Sequence, residues 1–289
     1  MSDLTGRTFL VTGANTGIGL ATATALAARG GQVTVACRSP EKGAAAVGGI
    51  IAATLNSQVR FLQLDLADLA AARAAAAEFV ARGEPLDVLI NNAGVAGRRG
   101  LTADGFELMF GVNHLGHFAF TTALLSCLTA SAGRDEAGRQ GPAGARIVTV
   151  SSDAHYQARG VDFELVRRRT RSVTGMPEYA VSKLCNVLFS LELARRLAGT
   201  GVTSYALHPG VVASDIWRRV PWPARQLMTR RMLTVDQGAR TSLYCATAPE
   251  LGAQSGRYYE DCAERAPSPV ATAELGALLW QQSEKWASE

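Results

Sequence analysis

A glycine-rich turn near the N-terminus constrains the fold of this chain more than any other stretch. The apolar segment Thr8–Thr12 runs directly into Gly13-Ala14-Asn15-Thr16-Gly17-Ile18-Gly19, and residues 20–29 follow with a helical pattern. Glycines permit a tight turn and let the main chain approach a pyrophosphate at the helix N-terminus. The spacing is G-x-x-x-G-x-G rather than G-x-G-x-x-G, but its place between a strand and a helix predicts a nucleotide-binding turn.

Strands and helices alternate along the rest of the chain. Further strands are predicted at Gln32–Cys37, 59–66, 86–90, 146–150, 203–207 and 256–259, and helices at 41–55, 69–82, 106–128, 176–197, 235–246 and 273–287. This alternation predicts an α/β fold, a Rossmann-like doubly wound parallel sheet with helices on both faces and ligands at the carboxyl ends of its strands. We see no repeat or linker, so residues 1–289 are predicted to form one domain.

The composition excludes several classes of protein. Hydrophobic residues make up 47% of the 289 residues and charged residues 19%, as is expected of a globular protein. The net charge is only +4 and the sequence has no long basic run at a terminus, which argues against nucleic acid as a partner. The five cysteines are scattered and form no C-x-x-C pair, so neither a disulfide framework nor a zinc site is expected. No secretory signal and no uncharged apolar run of roughly 18 residues is evident. We therefore expect a cytoplasmic protein without a membrane anchor.

The end of the second predicted strand bears on cofactor choice. An acidic residue there binds the ribose 2′-hydroxyl of NAD, whereas an arginine accommodates the 2′-phosphate of NADP. Cys37 stands where the acid is expected, and Arg38 follows it. This predicts that NADP(H) is preferred over NAD(H); the alternative is that Arg38 is a solvated loop residue.

Two more strand ends are predicted to contact the cofactor. Asp65 and Leu66 end the third strand, where the Asp65 carboxylate could accept a hydrogen bond from the adenine amino group. The fourth strand is followed by Asn91-Asn92-Ala93-Gly94, whose small residues let the main chain lie against a ribose.

Tyr179 and Lys183 form the pair on which the chemistry depends. They are four residues apart in a predicted helix, so their side chains share one face. A free tyrosine has a pKa of about 10, and a neighbouring cation lowers that pKa by favouring the phenolate. The pair could therefore do acid–base work near neutral pH, although a Y-x-x-x-K pair alone is a weak signal.

Taken together, these motifs resemble the short-chain dehydrogenase/reductase family over nearly the whole chain. The resemblance depends on Thr12 to Gly19, Asn91 to Gly94, Asn113, Ser152, Tyr179 with Lys183, and Pro209-Gly210, in the family's order and approximate spacing. Ala36-Cys37-Arg38, the run from Asn113 to Phe118, the run from Ser182 to Phe189 and the run from Gly256 to Cys262 are most similar to the retinol-dehydrogenase-like branch. Membrane-bound members of that branch carry an N-terminal anchor that is not evident here, which puts a retinoid substrate in doubt.

The resemblance implies a role for each catalytic residue. Tyr179 gives a proton to a carbonyl oxygen or takes one from an alcohol, and Lys183 lowers the tyrosine pKa and holds the nicotinamide ribose. Ser152 hydrogen-bonds the substrate oxygen, and Asn113 positions Lys183 through a water. Pro209, Gly210 and Val212 are implied to pack on the nicotinamide, with Ser214 binding its carboxamide, and residues 214–232 are interpreted as a substrate lid.

Three features remain open between a structural and a functional role. His114 and His117 are three residues apart, but without a third ligand at metal-like spacing we expect structural histidines and no metal site. His155 could line the substrate pocket. The run Arg167-Arg168-Arg169-Thr170-Arg171 is either a solvated surface or the recognition site of an anionic or carrier-tethered substrate.

The sequence therefore predicts an NADP(H)-dependent oxidoreductase that acts on a hydrophobic ketone, aldehyde or secondary alcohol, with Tyr179 as general acid/base. The alternatives are a non-catalytic NADP-sensing protein and an epimerase or dehydratase of the related extended type. The long helices at 106–128 and 176–197 also suggest a homodimer.

Overall fold

The computed structural model describes residues 3–132, 144–212 and 233–289, and its centre is a single eight-stranded sheet. The strands are β1 (Thr8–Thr12), β2 (Gln32–Cys37), β3 (Val59–Gln63), β4 (Val88–Asn91), β5 (Ala145–Val150), β6 (Val202–His208), β7 (Arg257–Glu260) and β8 (Ala263–Arg265). Their order is β3-β2-β1-β4-β5-β6-β7-β8, and every neighbouring pair is parallel except β7 with β8. The strand order reverses between β1 and β4, which is where such a sheet opens a crevice for ligands.

Helices cover both faces of the sheet, as predicted. They are α1 (Gly17–Ala27), α2 (Pro40–Thr54), α3 (Leu69–Ala81), α4 (Leu108–Ala132), α5 (Met176–Arg196), α6 (Val235–Thr247) and α7 (Ala273–Ser288). Helix α4 contains a π-helical segment at Gly111–Leu115. Phe9 and Val11 of β1 join the core beneath α1, α2 and α6, whereas Leu10 between them joins the core beneath α3 and α4. Strands buried on both faces explain the nearly continuous apolar runs in the sequence.

Two details of the sheet differ from the sequence-based prediction. Strand β3 ends at Gln63 rather than at Leu66, because the Asp65 carboxylate accepts a hydrogen bond from the Ala67 N–H at 2.9 Å and turns the chain towards α3. The short strand β8 was missed. It pairs with β7 through a two-residue turn in which Asp261 and Cys262 both have positive φ, and its own residues are exposed, so it leaves no apolar pattern.

The expectation about apolar runs was wrong for α4. Among the described residues, Leu108–Ala132 is one helix long and apolar enough to cross a membrane by length and composition, although 56% of its most apolar window is buried inside the protein. The helix packs against α3 and α5, and Phe118, Phe120 and Leu124 belong to the core. The composition of α4 is thus also that of a core helix.

The C-terminal helix α7 packs across α4 and α5. The Trp280 ring meets Phe118 edge-on at 4.9 Å between centroids and stacks on Phe189 at 5.9 Å. Trp286 packs on Phe106 and Phe110 near the start of α4. The homodimer stays a prediction, but α7 of the same chain already occupies these parts of the two helices.

Candidate functional site

The glycine-rich turn packs directly against the segment that follows β4. The Gly13 N–H donates to the Ala36 carbonyl at 2.7 Å, and a Cβ on Gly13, which has φ +66°, would lie 2.9 Å from the Ala93 Cα. A Cβ on Gly19 would lie 2.4 Å from the Asn92 amide nitrogen. Larger residues would therefore push the turn away from the strand end, so the glycines are required for this close approach.

The mouth of the turn is open and suited to an anion. Gly17 is the first residue of α1 and has φ +57°. A Cβ placed on it would meet no neighbouring atom within 4 Å, so the space in front of the helix is open. Helix α1 has no acidic residue in its first turn, so the positive end of its dipole is not neutralised there. Asn15 is half-buried, Thr16 is exposed, and Ile18 packs towards α6. These residues fit a dinucleotide pyrophosphate at the helix N-terminus.

Thr12 ties the end of β1 to the segment after β4. Its hydroxyl oxygen accepts hydrogen bonds from the Asn92 and Ala93 N–H groups, both at 2.9 Å. The Asn92 side-chain amide in turn donates to the Thr12 carbonyl at 2.8 Å. The two segments predicted to contact the cofactor are thereby held in one arrangement.

His117 of α4 completes this network from the opposite side. Its Nδ1 donates to the Asn113 carbonyl at 3.0 Å, because a carbonyl can only accept. Burial lowers the pKa of His117 to about 4, so the ring is neutral and Nε2 accepts the Thr12 hydroxyl proton at 2.9 Å. The expectation of a structural rather than a metal-binding histidine agrees with these partners.

The adenosine end of the predicted cofactor site lies at the ends of β2 and β3. Arg38 is exposed directly after β2 and forms no ion pair within the described residues. Asp65 is half-buried and Leu66 buried. The Leu66 carbonyl packs so closely on Gly116 of α4 that a Cβ there would lie 2.3 Å from the oxygen. Because Arg38 is exposed and forms no ion pair within the described residues, its guanidinium is available to bind a phosphate.

The predicted nicotinamide end follows β6. Gly210 has φ +83°, and a Cβ on it would lie 2.4 Å from Leu233. Val212 is buried beside Ile18 of α1, since both side chains approach Gly238 of α6. Val212 therefore lies next to the glycine-rich turn, and Pro209 and Gly210 lead to it from the end of β6. Ser214 and the lid interpreted at residues 214–232 lie outside the described residues.

Tyr179, Ser152 and Lys183 come together at the carboxyl end of β5. The Tyr179 side chain lies close enough to that of Ser152, which follows β5 by two residues, for the serine to lower the Tyr179 pKa. Lys183 is buried, its Nζ lies 5.6 Å from the centre of the Tyr179 ring, and it donates to the Val150 carbonyl at 3.0 Å. Ser151 points elsewhere, because its hydroxyl donates to the Lys183 carbonyl at 2.7 Å.

Asn113 clamps the segment after β4 onto α5. Its Oδ1 accepts from the Val95 N–H at 2.7 Å, and its Nδ2 donates to the Val95 carbonyl and to Ser182, each at 2.9 Å. A Cβ on Gly94 would lie 3.3 Å from Asn113 Oδ1 and 3.5 Å from Lys183 Nζ. The small residues after β4 thus bring the main chain between Asn113 and Lys183, and both N–H groups of the Asn113 side chain are used.

Burial dominates the titration of the Tyr179 and Lys183 pair. It raises the pKa of Tyr179 to about 12, against the lowering effect of the nearby Ser152 side chain, and it lowers the pKa of Lys183 to about 8. The tyrosine shift is opposite to the one expected from a neighbouring cation. Burial thus shifts both groups towards their neutral forms, because the protein alone gives them little charge stabilisation, but a Lys183 pKa of about 8 still leaves most of the ammonium protonated at pH 7.

The surroundings of Ser152 contain two polar side chains that the sequence did not single out. The Ser152 hydroxyl donates to Asp153 Oδ1 at 2.9 Å, and His208 Nε2 lies 4.0 Å from the same oxygen. Within the described part of the chain, His155 is an interior residue rather than part of an open pocket. It is fully buried, donates to the Ser152 carbonyl at 2.7 Å and accepts from the Ser268 N–H at 3.0 Å, so it holds the serine in place.

The fold and this constellation define a dinucleotide-binding oxidoreductase. A sequence profile of the short chain dehydrogenase family matches residues 7–162, and this chain belongs to the short-chain dehydrogenase/reductase family, in its retinol-dehydrogenase-like branch. Human retinol dehydrogenase 12 is 45% identical over 288 residues, which cover 97% of this chain and 86% of that protein. Human dehydrogenase/reductase SDR family member 13 is 42% identical over 297 residues, covering 99% and 74%.

Solved structures agree with this assignment. An uncharacterised protein from Mycobacterium paratuberculosis superposes with a TM-score of 0.75 at 34% identity, covering 100% of this chain and 96% of that one. A short chain dehydrogenase from Burkholderia cenocepacia, in complex with NADP, has a TM-score of 0.68 at 28% identity, covering 89% and 96%. The fold and the family are thus shown by sequence and by structure.

Proposed function

We propose that this chain is an NADP(H)-dependent enzyme that transfers a hydride between the nicotinamide and a carbonyl or alcohol carbon of a hydrophobic small molecule. One observation carries the proposal. The Tyr179 phenol lies beside Ser152 and the buried Lys183, at the strand ends that adjoin the glycine-rich turn. A phenol, a hydroxyl and a cation so arranged suit proton transfer to or from a substrate oxygen.

Each of these side chains has a distinct task in the proposed reaction. The bound nicotinamide would supply or accept the hydride. In the reductive direction Ser152 releases Asp153 and donates to the carbonyl oxygen, while the Tyr179 hydroxyl gives that oxygen its proton. In the oxidative direction Tyr179 takes the alcohol proton, which requires the phenolate that burial disfavours in the protein alone.

Lys183 and Asn113 have supporting tasks. Lys183 reaches the space between β5 and Gly94, where it would hold the nicotinamide ribose and place its charge near the phenol. Because the Asn113 side chain is engaged with Val95 and Ser182, we assign its contribution to Lys183 to the fixed main chain and to a water bridge rather than to a direct side-chain contact.

The preference for NADP(H) is supported by two observations. Arg38 stands exposed after β2, and no acidic side chain pairs with it within the described residues. A relative of known structure carries NADP in its crystal. An unpaired guanidinium at this position suits the ribose 2′-phosphate, which an acid would repel.

An apolar substrate is favoured by the relatives. Retinol dehydrogenases 11, 12 and 13 act, by their names, on a long apolar alcohol, and each is more than 40% identical to this chain. We extend only this class of substrate to the present chain, as a hydrophobic alcohol, aldehyde or ketone. Asp153 beside Ser152 adds a hydrogen-bond acceptor that a purely apolar substrate would not use.

The test is a turnover screen on the purified protein. Consumption of NADPH and of NADH is followed with matched aldehydes, ketones and, in the reverse direction, secondary alcohols of increasing chain length. We expect NADPH-dependent turnover that strengthens with apolar chain length. Tight binding of NADPH without turnover of any carbonyl would favour the non-catalytic NADP-sensing alternative.

We also propose a cytoplasmic location. All five cysteines are free thiols, which suits a reducing compartment. The apolar helix α4 is the feature that would favour a membrane location. However, 56% of its most apolar window is buried inside the protein, which supports its role as a core helix. Fractionation of cells that express the full chain tests this, because recovery only from washed membranes would contradict it.

A further inference from the structure

A cavity of about 470 Å³ lies against the first turns of α5, apart from the catalytic centre. Pro177, Glu178 and Val181 of α5 line one side, and none of the four catalytic residues is among the described residues that line it. Val181 is two positions from Tyr179, so the two side chains point in roughly opposite directions from the helix. The cavity therefore lies on the face of α5 that turns away from the Tyr179 phenol.

The inner wall of the cavity is apolar. Phe110 of α4 and Val166 are buried, and Val161, Leu165 and Val181 complete the wall. The volume lies within the range of about 300 to 1,000 Å³ that is usual for small-molecule sites. A hydrocarbon chain would be well accommodated here.

Four arginines surround this apolar wall without acidic partners. Arg159, Arg168, Arg169 and Arg171 line the cavity and are exposed, and within the described residues their guanidinium groups form no ion pair and no hydrogen bond. Arg167 differs from them, since it pairs with Glu289 at 3.3 Å and lies over the Phe106 ring at 4.7 Å. Arginines that stay unpaired at a cavity mouth are available to a ligand.

The three acidic residues of the lining are already engaged by nearby donors. Glu107 accepts from the Met109 and Phe110 N–H groups at 2.8 and 2.9 Å and also from Thr170. Asp162 Oδ1 accepts from the N–H groups of Glu164 and Leu165 at 2.9 and 3.0 Å. Glu178 Oε1 accepts from those of Arg171 and Ser172 at 2.9 and 2.8 Å.

These acids therefore hold their own loops and helix ends, so the groups left to recognise a ligand are apolar surface and guanidinium. We propose that this cavity is a second binding site that takes a monoanionic amphiphile of the long-chain carboxylate class. The hydrocarbon chain lies against Phe110, Leu165 and Val181, and the carboxylate meets Arg168 and Arg169 in charge-assisted hydrogen bonds. The arginine run thus serves a site of its own rather than the substrate oxygen. This inference does not depend on the proposed reaction, because binding is measured without turnover.

The test is calorimetric titration of the full chain with dodecanoate below its micellar concentration. The matched ligand is dodecyltrimethylammonium, which has the same chain and the opposite charge. We expect saturable binding of dodecanoate at one site, and binding of the cation at least tenfold weaker. Raising the salt concentration should weaken dodecanoate binding, because the arginines are exposed.

Two variants locate the site. Arg168→Gln with Arg169→Gln removes two exposed charges without touching the core, and Val181→Trp fills the cavity. Each should weaken dodecanoate binding at least tenfold. The control is Arg60→Gln with Arg240→Gln, which removes two exposed arginine charges on β3 and α6 and should change the affinity less than twofold. Absence of dodecanoate binding to the parent protein, or parent-like affinity in both cavity variants with unchanged melting temperature, would overturn the proposal.

Discussion

At the scale of single residues, His117 is the side chain that joins the two halves of the candidate cofactor site. Its ring donates to the Asn113 carbonyl and accepts from Thr12, whose hydroxyl oxygen holds the Asn92 and Ala93 N–H groups. Each of these buried groups has a defined donor or acceptor role, so the network is satisfied in one arrangement. The glycine-rich turn and the clamp at Asn113 are thereby fixed to each other through one neutral imidazole.

Loss of His117 should therefore loosen cofactor binding. We expect His117→Phe to raise the dissociation constant of NADPH at least tenfold, because Thr12 loses the acceptor that orients its hydroxyl, and His117→Asn to recover part of that loss. NADPH fluorescence titration measures this. The matched control is His114→Phe on the same helix. His114 hydrogen-bonds Ser283 of α7 rather than Thr12, so its loss should change the NADPH affinity less than threefold. Equal losses in the two Phe variants would show that His117 only fills space.

The proposed preference for NADP(H) depends on Arg38. Arg38→Asp should lower NADPH affinity by roughly 10- to 100-fold, because a guanidinium contact to phosphate is replaced by repulsion, and it should leave or improve NADH affinity. The same fluorescence titration with both cofactors checks the prediction. Arg240→Gln, an exposed arginine on α6, serves as the control for loss of charge. Unchanged NADPH preference in Arg38→Asp would remove Arg38 from the cofactor site.

At the scale of elements, α4 carries an acid-sensitive pair of histidines. Burial lowers the pKa of His114 to about 3 and of His117 to about 4, whereas an unfolded histidine has a pKa of about 6.5. Between those values the unfolded chain binds more protons than the folded chain, so stability rises with pH across this window and is lost as pH falls below about 6.5.

Thermal melting at pH 7 and pH 5 tests this prediction. We expect the melting temperature of the parent protein to be lower at pH 5 than at pH 7. His114→Phe should be less stable than the parent at pH 7, because Ser283 of α7 loses its hydrogen-bond partner. Its melting temperature should nevertheless fall less than that of the parent between pH 7 and pH 5. A parent protein with equal melting temperatures at both pH values would contradict the buried neutral state.

The attachment of α7 depends on its tryptophans. Trp280 lies between Phe118, Phe189 and the Arg196 guanidinium, which is 4.3 Å from the ring centre. Trp280→Ala should cost about 3 to 5 kcal/mol of unfolding free energy, as is usual for a buried aromatic. Leu278→Ala on the exposed side of α7 should cost less than about 1 kcal/mol. Denaturant unfolding measures both, and similar losses would mean that α7 is not docked through Trp280.

Most elements were predictable from the sequence because their signals are local. Strands β1 and β2 have the predicted bounds, since they are buried on both faces and are rich in apolar and β-branched residues. The start of α5 was predictable from Pro177, which suits the first helical turn. The short, exposed β8 carries no such signal.

Contacts between distant segments could not be predicted in this way. The Thr12 to His117 hydrogen bond joins residues 105 positions apart, and nothing in either local pattern requires it. The burial that raises the Tyr179 pKa likewise depends on how α5 packs against the rest of the fold. Motif spacing identified the side chains, while their protonation and partners required the folded chain.

At the scale of the whole molecule, the sheet gathers the candidate site at one edge. The glycine-rich turn, Arg38, Asn92 to Gly94, Ser152 and Pro209 all follow the carboxyl ends of parallel strands on either side of the point where strand order reverses. Helix α5 then crosses this edge and adds Tyr179 and Lys183. Most of the proposed cofactor contacts therefore lie on the strand ends, whereas the proton-transferring Tyr179 lies on α5, so a substitution at Tyr179 can separate the two tasks.

The measurement that tests the central claim most directly is turnover and NADPH binding of Tyr179→Phe beside the parent protein. The change removes one hydroxyl and leaves the ring in place, so folding and the cofactor site should persist. We predict that turnover of the best carbonyl substrate falls by about 100- to 10,000-fold while the NADPH dissociation constant changes less than threefold. Turnover within a few-fold of the parent would contradict the assignment of Tyr179 as the proton-transferring residue.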